Sequence, residues 1–498
     1  MKDLVVLAAD TGKSSCRLVS GHYDGKKIKL GMDGRFDLYQ TYLPDGWLYL
    51  DIVNVFSQLK LQLQKYAVEN GSNAVSLGID TWGSDFGLLD KNNTLLSLPI
   101  FYKEQKLAQY FPEFLDSVDM KKIYFKTGMD VAPYNSPVRL FIKNKLHHTD
   151  LSNAYRFLGI ADLMSFFFSG NPVSELTSIS VTRMVDLATN QYSKWLLDDL
   201  GIDNSILRNE IVMPGTIIGD IMPQVGSEIG MPNLKIVAVP GHDTTASALA
   251  IPEMDNDSIF FGSGTTMVYC SINRNLQVTD EMYNFNTSIV KGFDNTDILV
   301  RNFSAGMWIM HALKREWPGG ISYEEMYAMA EKAKPFKMVF DIDSSFFEVW
   351  GDIKGRIAQY CELTGQTLVD EDAQYVRCIV ESYALKARWA LDQYEKVLGR
   401  PVKKLIVVGG GVYSSFLCQM LADATRRVVV TGAAEATSLG NILTQLYALG
   451  EIANENEMRE IVSNSCPTNY YEPKASCEMW DEAYHNYLDT IAKFKDIH

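Results

Sequence analysis

Cysteine and histidine are scarce in this 498-residue chain, at seven each. The cysteines, at 16, 270, 361, 378, 418, 466 and 477, form no CxxC pair and no dense framework, which excludes a disulfide-stapled scaffold. A reduced, cytoplasmic protein is expected. Long apolar runs are missing too: no window reaches about 18 uninterrupted apolar residues, so no transmembrane helix is expected. The opening MKDLVVLAAD goes straight into a strand-like run and is too polar-flanked for a signal segment. Basic charge is in deficit, 46 Lys and Arg against 61 Asp and Glu, net −15 with a pI near 5.0. That balance argues against nucleic acid or an anionic membrane as partner. What is plentiful is core material, 47% hydrophobic and 11% aromatic, over a length that suits two or three domains.

The chain is organised around Val5 to Arg17, VVLAADTGKSSCR. Val5 to Ala9 read as a buried strand, Asp10-Thr11-Gly12 as a tight turn, and Arg17 to His22 as the returning strand. Amides and hydroxyls of Thr11, Ser14 and Ser15 then converge beside the Asp10 carboxylate. Such a turn suits phosphate on the amides and a divalent cation on Asp10, directly or through water. Gly12-Lys13-Ser14 mimics the end of a P-loop, but the required first glycine is Leu7, inside the strand, and the P-loop is rejected. Taken alone, the turn also suits a plain hairpin cap.

Its weight comes from recurrence. Ser258 to Tyr269, SIFFGSGTTMVY, repeats strand, small-residue turn (Gly262-Ser263-Gly264-Thr265-Thr266) and strand. Two such loops about 250 residues apart point to a duplicated architecture with a nucleotide held between two halves. This is the layout of the actin-like (ribonuclease H-like) ATPase fold, an α/β class. The expected domains are 1–240 and 241–498, with a tail from about 452.

Between and after the loops, Gly25–Leu30 and Gly34–Tyr39 read as strands, and Leu50–Asn70 as a helix. Ala74 to Asp80 is a buried strand ending in Asp80-Thr81-Trp82-Gly83-Ser84-Asp85, which puts two carboxylates, a hydroxyl and an indole at the strand end where α/β sheets bind ligands; the plainer alternative is a polar turn with Trp82 packed in the core. Leu107–Asn190 is mostly helical and receives no chemistry. Leu234 to Pro240 is a strand delivering Gly241-His242-Asp243-Thr244 to the start of a small-residue helix. A carboxylate at that seam could take a proton from a substrate hydroxyl as a phosphoryl group arrives; the plainer alternative is an N-cap. Phe293–Asn302 reads as paired strands, 305–315 as a helix and Asp370–Val397 as a long helix closed by Gly399. Lys404–Val408 is a strand running into Gly409-Gly410-Gly411, where bare backbone can approach a charged ligand. GxGxxG is not met, since Ser414 holds its last place, so a mononucleotide fits better than a dinucleotide. Glu435 to Asn441 starts a helix expected to pack beneath these glycines.

Together these motifs, with GIDTWGSDF at 78 to 86, GHDTTASA at 241 to 248, VVGGG at 407 to 411 and EATSLGN at 435 to 441, resemble the FGGY carbohydrate kinases, and within them the kinases of L-rhamnulose. The resemblance implies ATP with Mg²⁺, transfer of the γ-phosphoryl to a ketose hydroxyl giving a 1-phosphate, and a monomer or homodimer. It implies Asp243 as the catalytic base, with His242, Thr244, Trp82, Gly83 and Asn302 at the sugar. ATP would be held by Thr11, Gly12, Lys13, Ser14, Ser15, Cys16 and Arg17 in the first loop, by Gly264 and Thr265 in the second, and by His311, Gly410 and Gly411. Asp10 and Asp243 would meet the metal. Four positions depart from the family: Cys16 stands for Gly, Thr266 for Trp, His311 for Gln and Gly34 for His. They leave the ketose open, with L-fuculose or xylulose as alternatives and a catalytically silent sugar-binding regulator as the other class.

Overall fold

The computed structural model describes residues 4–264, 266–303, 306–348 and 351–495. The chain divides into two compact units, one of Met1–Pro252, Ile272–Leu299 and Ala436–Ser465, the other of Glu253–Ser271, Val300–Glu435 and Cys466–His498. The boundary expected at 240/241 does not coincide with this division: the segment up to Pro252 stays with the first unit, and two later segments return to it.

The first unit is built on a six-stranded sheet of β1 (Leu4–Thr11), β2 (Ser15–Tyr23), β3 (Ile28–Asp37), β4 (Ala74–Thr81), β5 (Thr216–Asp220) and β6 (Lys235–Ala238), in the order β5-β6-β4-β1-β2-β3. The hairpin β1–β2–β3 is antiparallel, and β1, β4 and β6 run parallel. Parallel strands covered on both faces must be apolar almost throughout, which is why VVLAA and AVSLGI are continuous runs. Helix Ile52–Asn70 buries Ile52, Val55, Leu59, Leu63 and Tyr66 at helical spacing, and its N-cap Asp51 accepts from Asn54 N at 3.0 Å.

The two strands expected at 25–39 are one strand. The Gly31 to Gly34 stretch is a bulge rather than a turn: Val19 pairs with Met32 and Leu18 with Gly34, leaving Asp33 extra. Its carboxylate accepts from Ser20 N at 2.7 Å and so replaces the ladder bond that the bulge removes. Of the paired strands expected at 293–302, only Thr296–Phe303 forms there, after a 3₁₀ turn at Phe293–Asn295.

The second unit repeats the plan with β7 (Ser258–Ser263), β8 (Met267–Arg274), β9 (Lys404–Val408), β10 (Val428–Thr431) and β11 (Tyr470–Tyr471). A β7–β8 hairpin is followed by β9 and β10 parallel to β7, and β11 closes the edge. Helix Asp372–Leu398 ends at Gly399 with φ 64°, the left-handed stop its sequence predicts. The helix expected from 305 runs Trp308–Arg315, and position 305 lies outside the described residues. Among the described residues no helix is long and apolar enough to cross a membrane.

Candidate active site

The site of the first unit is assembled at the carboxyl ends of three parallel strands. Asp10 lies across from Asp80 in the β1–β4 register, and Thr81 bridges to His242 just after β6. Thr81 N donates to Gly241 O at 3.0 Å, which fixes the seam. Both aspartates are buried.

What keeps two buried carboxylates there is helix Ala436–Ala448. Ser438 Oγ donates to Asp10 Oδ2 at 2.9 Å and Asn441 Nδ2 to Asp80 Oδ2 at 2.6 Å, while Gln445 donates to Leu7 O at 2.8 Å. Arg17 Nη2 adds an ion pair to Asp10 at 2.7 Å. Within the first unit this helix packs on helix Asp243–Leu249. Gly440 allows that approach, since a Cβ there would overlap the Ala246 carbonyl.

Burial raises the Asp10 carboxyl, Arg17 and Ser438 pull against it, and Asp243 raises it further. Burial, then the neighbouring Asp10, pushes Asp80 well above the carboxylate range. Asp80 Oδ1 is buried without a hydrogen bond. Facing carboxylates with an orphaned oxygen are the environment a hard cation relieves. Among the described residues no three His, Cys, Asp or Glu gather into a metal-binding group.

Asp243 opens helix Asp243–Leu249, its charge favoured by the helix N-terminus, with His242 rather than Asp243 at the N-cap. Its Oδ1 accepts from Thr244 N at 2.6 Å and from Thr244 Oγ1 at 3.2 Å, and His242 Nε2 lies 3.5 Å away. Among the described residues Oδ2 accepts no hydrogen bond, so one oxygen is held and the other is available. Burial lowers the His242 imidazole below its usual value. Upstream, Gly241 N donates to Glu175 Oε2 at 2.9 Å; the buried Glu175 also accepts from Thr177 N at 2.8 Å, Thr177 Oγ1 at 2.6 Å and Ser178 N at 2.9 Å. Glu175 thus ties the strap Leu176–Ser180 to the residue two before Asp243. The sequence reading had assigned this region no chemistry.

In the first loop, Gly12 N donates to Ser15 O at 3.0 Å, and Lys13 and Ser14 are exposed at the tip beside half-buried Gly12, Ser15 and Arg17. Cys16 is different. Its side chain is fully buried in the core with Leu18 and Leu50, accepts from Thr11 Oγ1 at 3.2 Å, and does not face the loop's ligand side. Thr11 is buried beside it.

At the end of β4, Gly83 is required by crowding: a Cβ would lie 2.8 Å from Val181 Cγ2 and 3.4 Å from His242 Cδ2. Trp82 is a core residue, its Nε1 donating to Asp85 Oδ2 at 3.1 Å and its ring 6.0 Å from that of Phe101. Asp85 is equally committed, in a fully buried ion pair with Arg139.

In the second unit, Ser263 Oγ donates to Val408 O at 2.6 Å and accepts from Gly411 N at 2.7 Å, which locks the glycine turn onto β7. Gly409 has φ 83°, a Cβ on Gly411 would strike Ser263 Oγ at 2.6 Å, and Gly410 faces open space. Gly264 and Asn302 are exposed. Thr265 lies outside the described residues. His311 is half-buried, its Nδ1 engaged with the Tyr323 hydroxyl.

The chain matches two family models, the FGGY family of carbohydrate kinases, N-terminal domain, over residues 5–250, and the C-terminal domain over 301–449. It belongs to the FGGY family of carbohydrate kinases and is an ATP-dependent phosphotransferase acting on a sugar hydroxyl. It is 30% identical to a rhamnulokinase of Bacteroides thetaiotaomicron over 97% of this chain and 99% of that one. A rhamnulokinase of Enterococcus faecalis is 31% identical over 94% of both. In fold it is similar to a xylulose kinase from Rhodospirillum rubrum (TM-score 0.82, 15% identity, 100% and 99% covered) and a gluconate kinase from Lactobacillus acidophilus (0.80, 16%, 100% and 98%). These are sugar kinases with the two-domain actin-like ATPase fold.

Proposed function

We propose that the chain is a rhamnulokinase: it transfers the γ-phosphoryl of ATP to the 1-hydroxyl of L-rhamnulose. Full-length similarity to several rhamnulokinases supports the substrate, and one observation carries the chemistry. Asp243 sits at a helix N-terminus with Oδ1 fixed by Thr244 and, among the described residues, Oδ2 without a hydrogen-bonded partner. Oδ2 accepts the hydroxyl proton as the sugar oxygen bonds to the γ-phosphorus and the bond to the ADP oxygen breaks. His242, kept neutral by burial, donates or accepts at the sugar without adding charge beside the base.

The exposed tip at Lys13 and Ser14, with Gly12, Ser15 and the Asp10–Arg17 pair, offers donors to phosphate, and Gly410 offers bare backbone to the nucleotide while the buried Gly411 holds the turn through Ser263. The donor set at Asp10 and Asp80 is all oxygen with one oxygen orphaned, and it fits Mg²⁺, which when bound would neutralise phosphate charge. We place the protein in the cytoplasm. An ADP-release assay with L-rhamnulose, L-fuculose and D-xylulose tests the reading. The highest kcat/KM is expected for L-rhamnulose; a higher value for either other ketose reassigns the substrate, and no release with any of them overturns the proposal.

A further inference from the structure

We propose that Arg183 is a sugar-binding residue, donating from its guanidinium to an acceptor oxygen of the ketose beside His242. This deepens the kinase reading and rests on it.

Arg183 is buried, yet among the described residues no carboxylate reaches it at ion-pair distance. Its contacts are neutral oxygens: Nε donates to Asp130 O at 2.9 Å, Nη1 to Val181 O at 2.6 Å, and Nη1 lies 3.5 Å from Ser84 Oγ, at the edge of hydrogen bonding. These contacts use two of its three nitrogens. Burial lowers it to about 10, so it stays a cation at neutral pH. A buried cation without a carboxylate in contact is costly, the Asp130 charge acting on it only from a distance, and an unspent donor next to a substrate pocket explains why it is retained.

Its surroundings locate the pocket. Val181, whose carbonyl Arg183 grips, is the residue that crowds Gly83, and Gly83 in turn abuts His242. Arg183 is close enough to His242 to lower the imidazole's basicity, after burial and together with Lys13.

Backbone strain marks the same place. Arg183 has φ 67° and Ser84 φ 83°, both left-handed in residues that rarely adopt it, and the two side chains meet. Ser84 is held there by Asn135 Nδ2 on its hydroxyl at 2.9 Å and Ser136 Oγ on its carbonyl at 2.5 Å. Two strained, mutually contacting side chains over-determined by their neighbours are what pre-organised ligand contacts look like. Arginine offers only donors, so the sugar must present an acceptor there, and an analogue with a bare carbon at that position would leave the cation unpaired.

The test compares the full-length wild type with Arg183→Asn, which tolerates positive φ, and Arg183→Lys, which keeps charge without the planar fork. Steady-state constants are measured for ATP and for the best ketose of the three above, with thermal melting as the check on folding. Arg183→Asn is expected to raise the sugar KM about tenfold or more, with Arg183→Lys in between and the ATP KM within about twofold. The inference is overturned if a folded variant keeps its sugar KM within about twofold, or if both KM values rise together. If Arg183→Asn does not fold, Arg183→Lys decides on the same criterion. A wild type that releases no ADP with any ketose overturns the parent reading instead.

Discussion

The two units share a hairpin followed by parallel strands but place opposite chemistries at their strand ends. In the first, β1 and β4 end in the acids Asp10 and Asp80, held by Ser438, Asn441 and Arg17. In the second, β7 and β9 end in Ser263 and three glycines, tied together by the neutral Ser263 hydroxyl bonding to main chain. The same topology thus presents side-chain charge in one case and bare backbone in the other. Function is set by what stands at the strand end, not by the strand order.

The largest break in that comparison is removal of the proposed base. Asp243→Asn is expected to lower kcat by about 100-fold or more while the melting temperature and sugar affinity hold, since the amide keeps the shape but cannot take the proton. Unchanged turnover in a coupled ADP assay would show that the proton leaves by another route. No substitution in the second unit's glycine turn should produce a kcat loss of this size.

Next in size is a contrast between two glycines. Gly440→Ala drives a Cβ into the Ala246 carbonyl between two backbones that cannot yield, and the melting temperature should fall, corresponding to about 2 kcal/mol despite alanine's better helix propensity. Gly410 in the second unit faces open space, so Gly410→Ala should melt like the wild type and at most raise the ATP KM. Equal melting of the two variants would refute the close packing of helix Ala436–Ala448 on helix Asp243–Leu249.

These glycines also show where sequence reading succeeds and where it stops. The strands at 5–9, 74–80 and 404–408 were legible because buried parallel strands leave continuous apolar runs, and the end of the long helix because Gly399 supplies the left-handed stop. The partner of helix Ala436–Ala448 was not legible, because a contact some 190 residues away in the chain leaves no periodicity. At Trp82 the sequence left a sugar-side indole and a core indole open; its ring area and the Asp85 acceptor hold it in the core. Glu175 and Arg183 were missed because each is a single polar residue in an otherwise ordinary helical stretch. The one local signal was Glu175 followed by Thr177 and Ser178, an acceptor just before a helix start.

Glu175→Gln probes that missed residue and should have a smaller effect. The amide cannot satisfy every donor now held by the carboxylate, so the Gly241 N–H or its neighbours lose a partner and the loop carrying Asp243 loosens. The expected outcome is kcat down about tenfold with the ATP KM within about twofold. A lowered melting temperature with kcat intact would make Glu175 a fold residue only.

The smallest effect is expected at Cys16, and it sharpens the comparison because Cys16 lies within the first loop, the proposed phosphate site, without belonging to its surface. The register explains the placement: Cys16 faces Thr11 across the hairpin, and its side chain points to the core while its neighbours Ser15 and Arg17 stay partly open. Burial pushes the thiol up to about 12, so at neutral pH almost no thiolate exists to react. A thiol reagent should therefore modify exposed Cys477 first and leave Cys16 untouched until the protein unfolds, with or without ATP. Cys16→Ala removes a small core hydrophobe, so it should cost about 1 kcal/mol of stability and leave the ATP KM within about twofold. Rapid modification of Cys16 that ATP prevents would place the thiol on the nucleotide side, and the departure from glycine at this position would then bear on ATP binding rather than on the core.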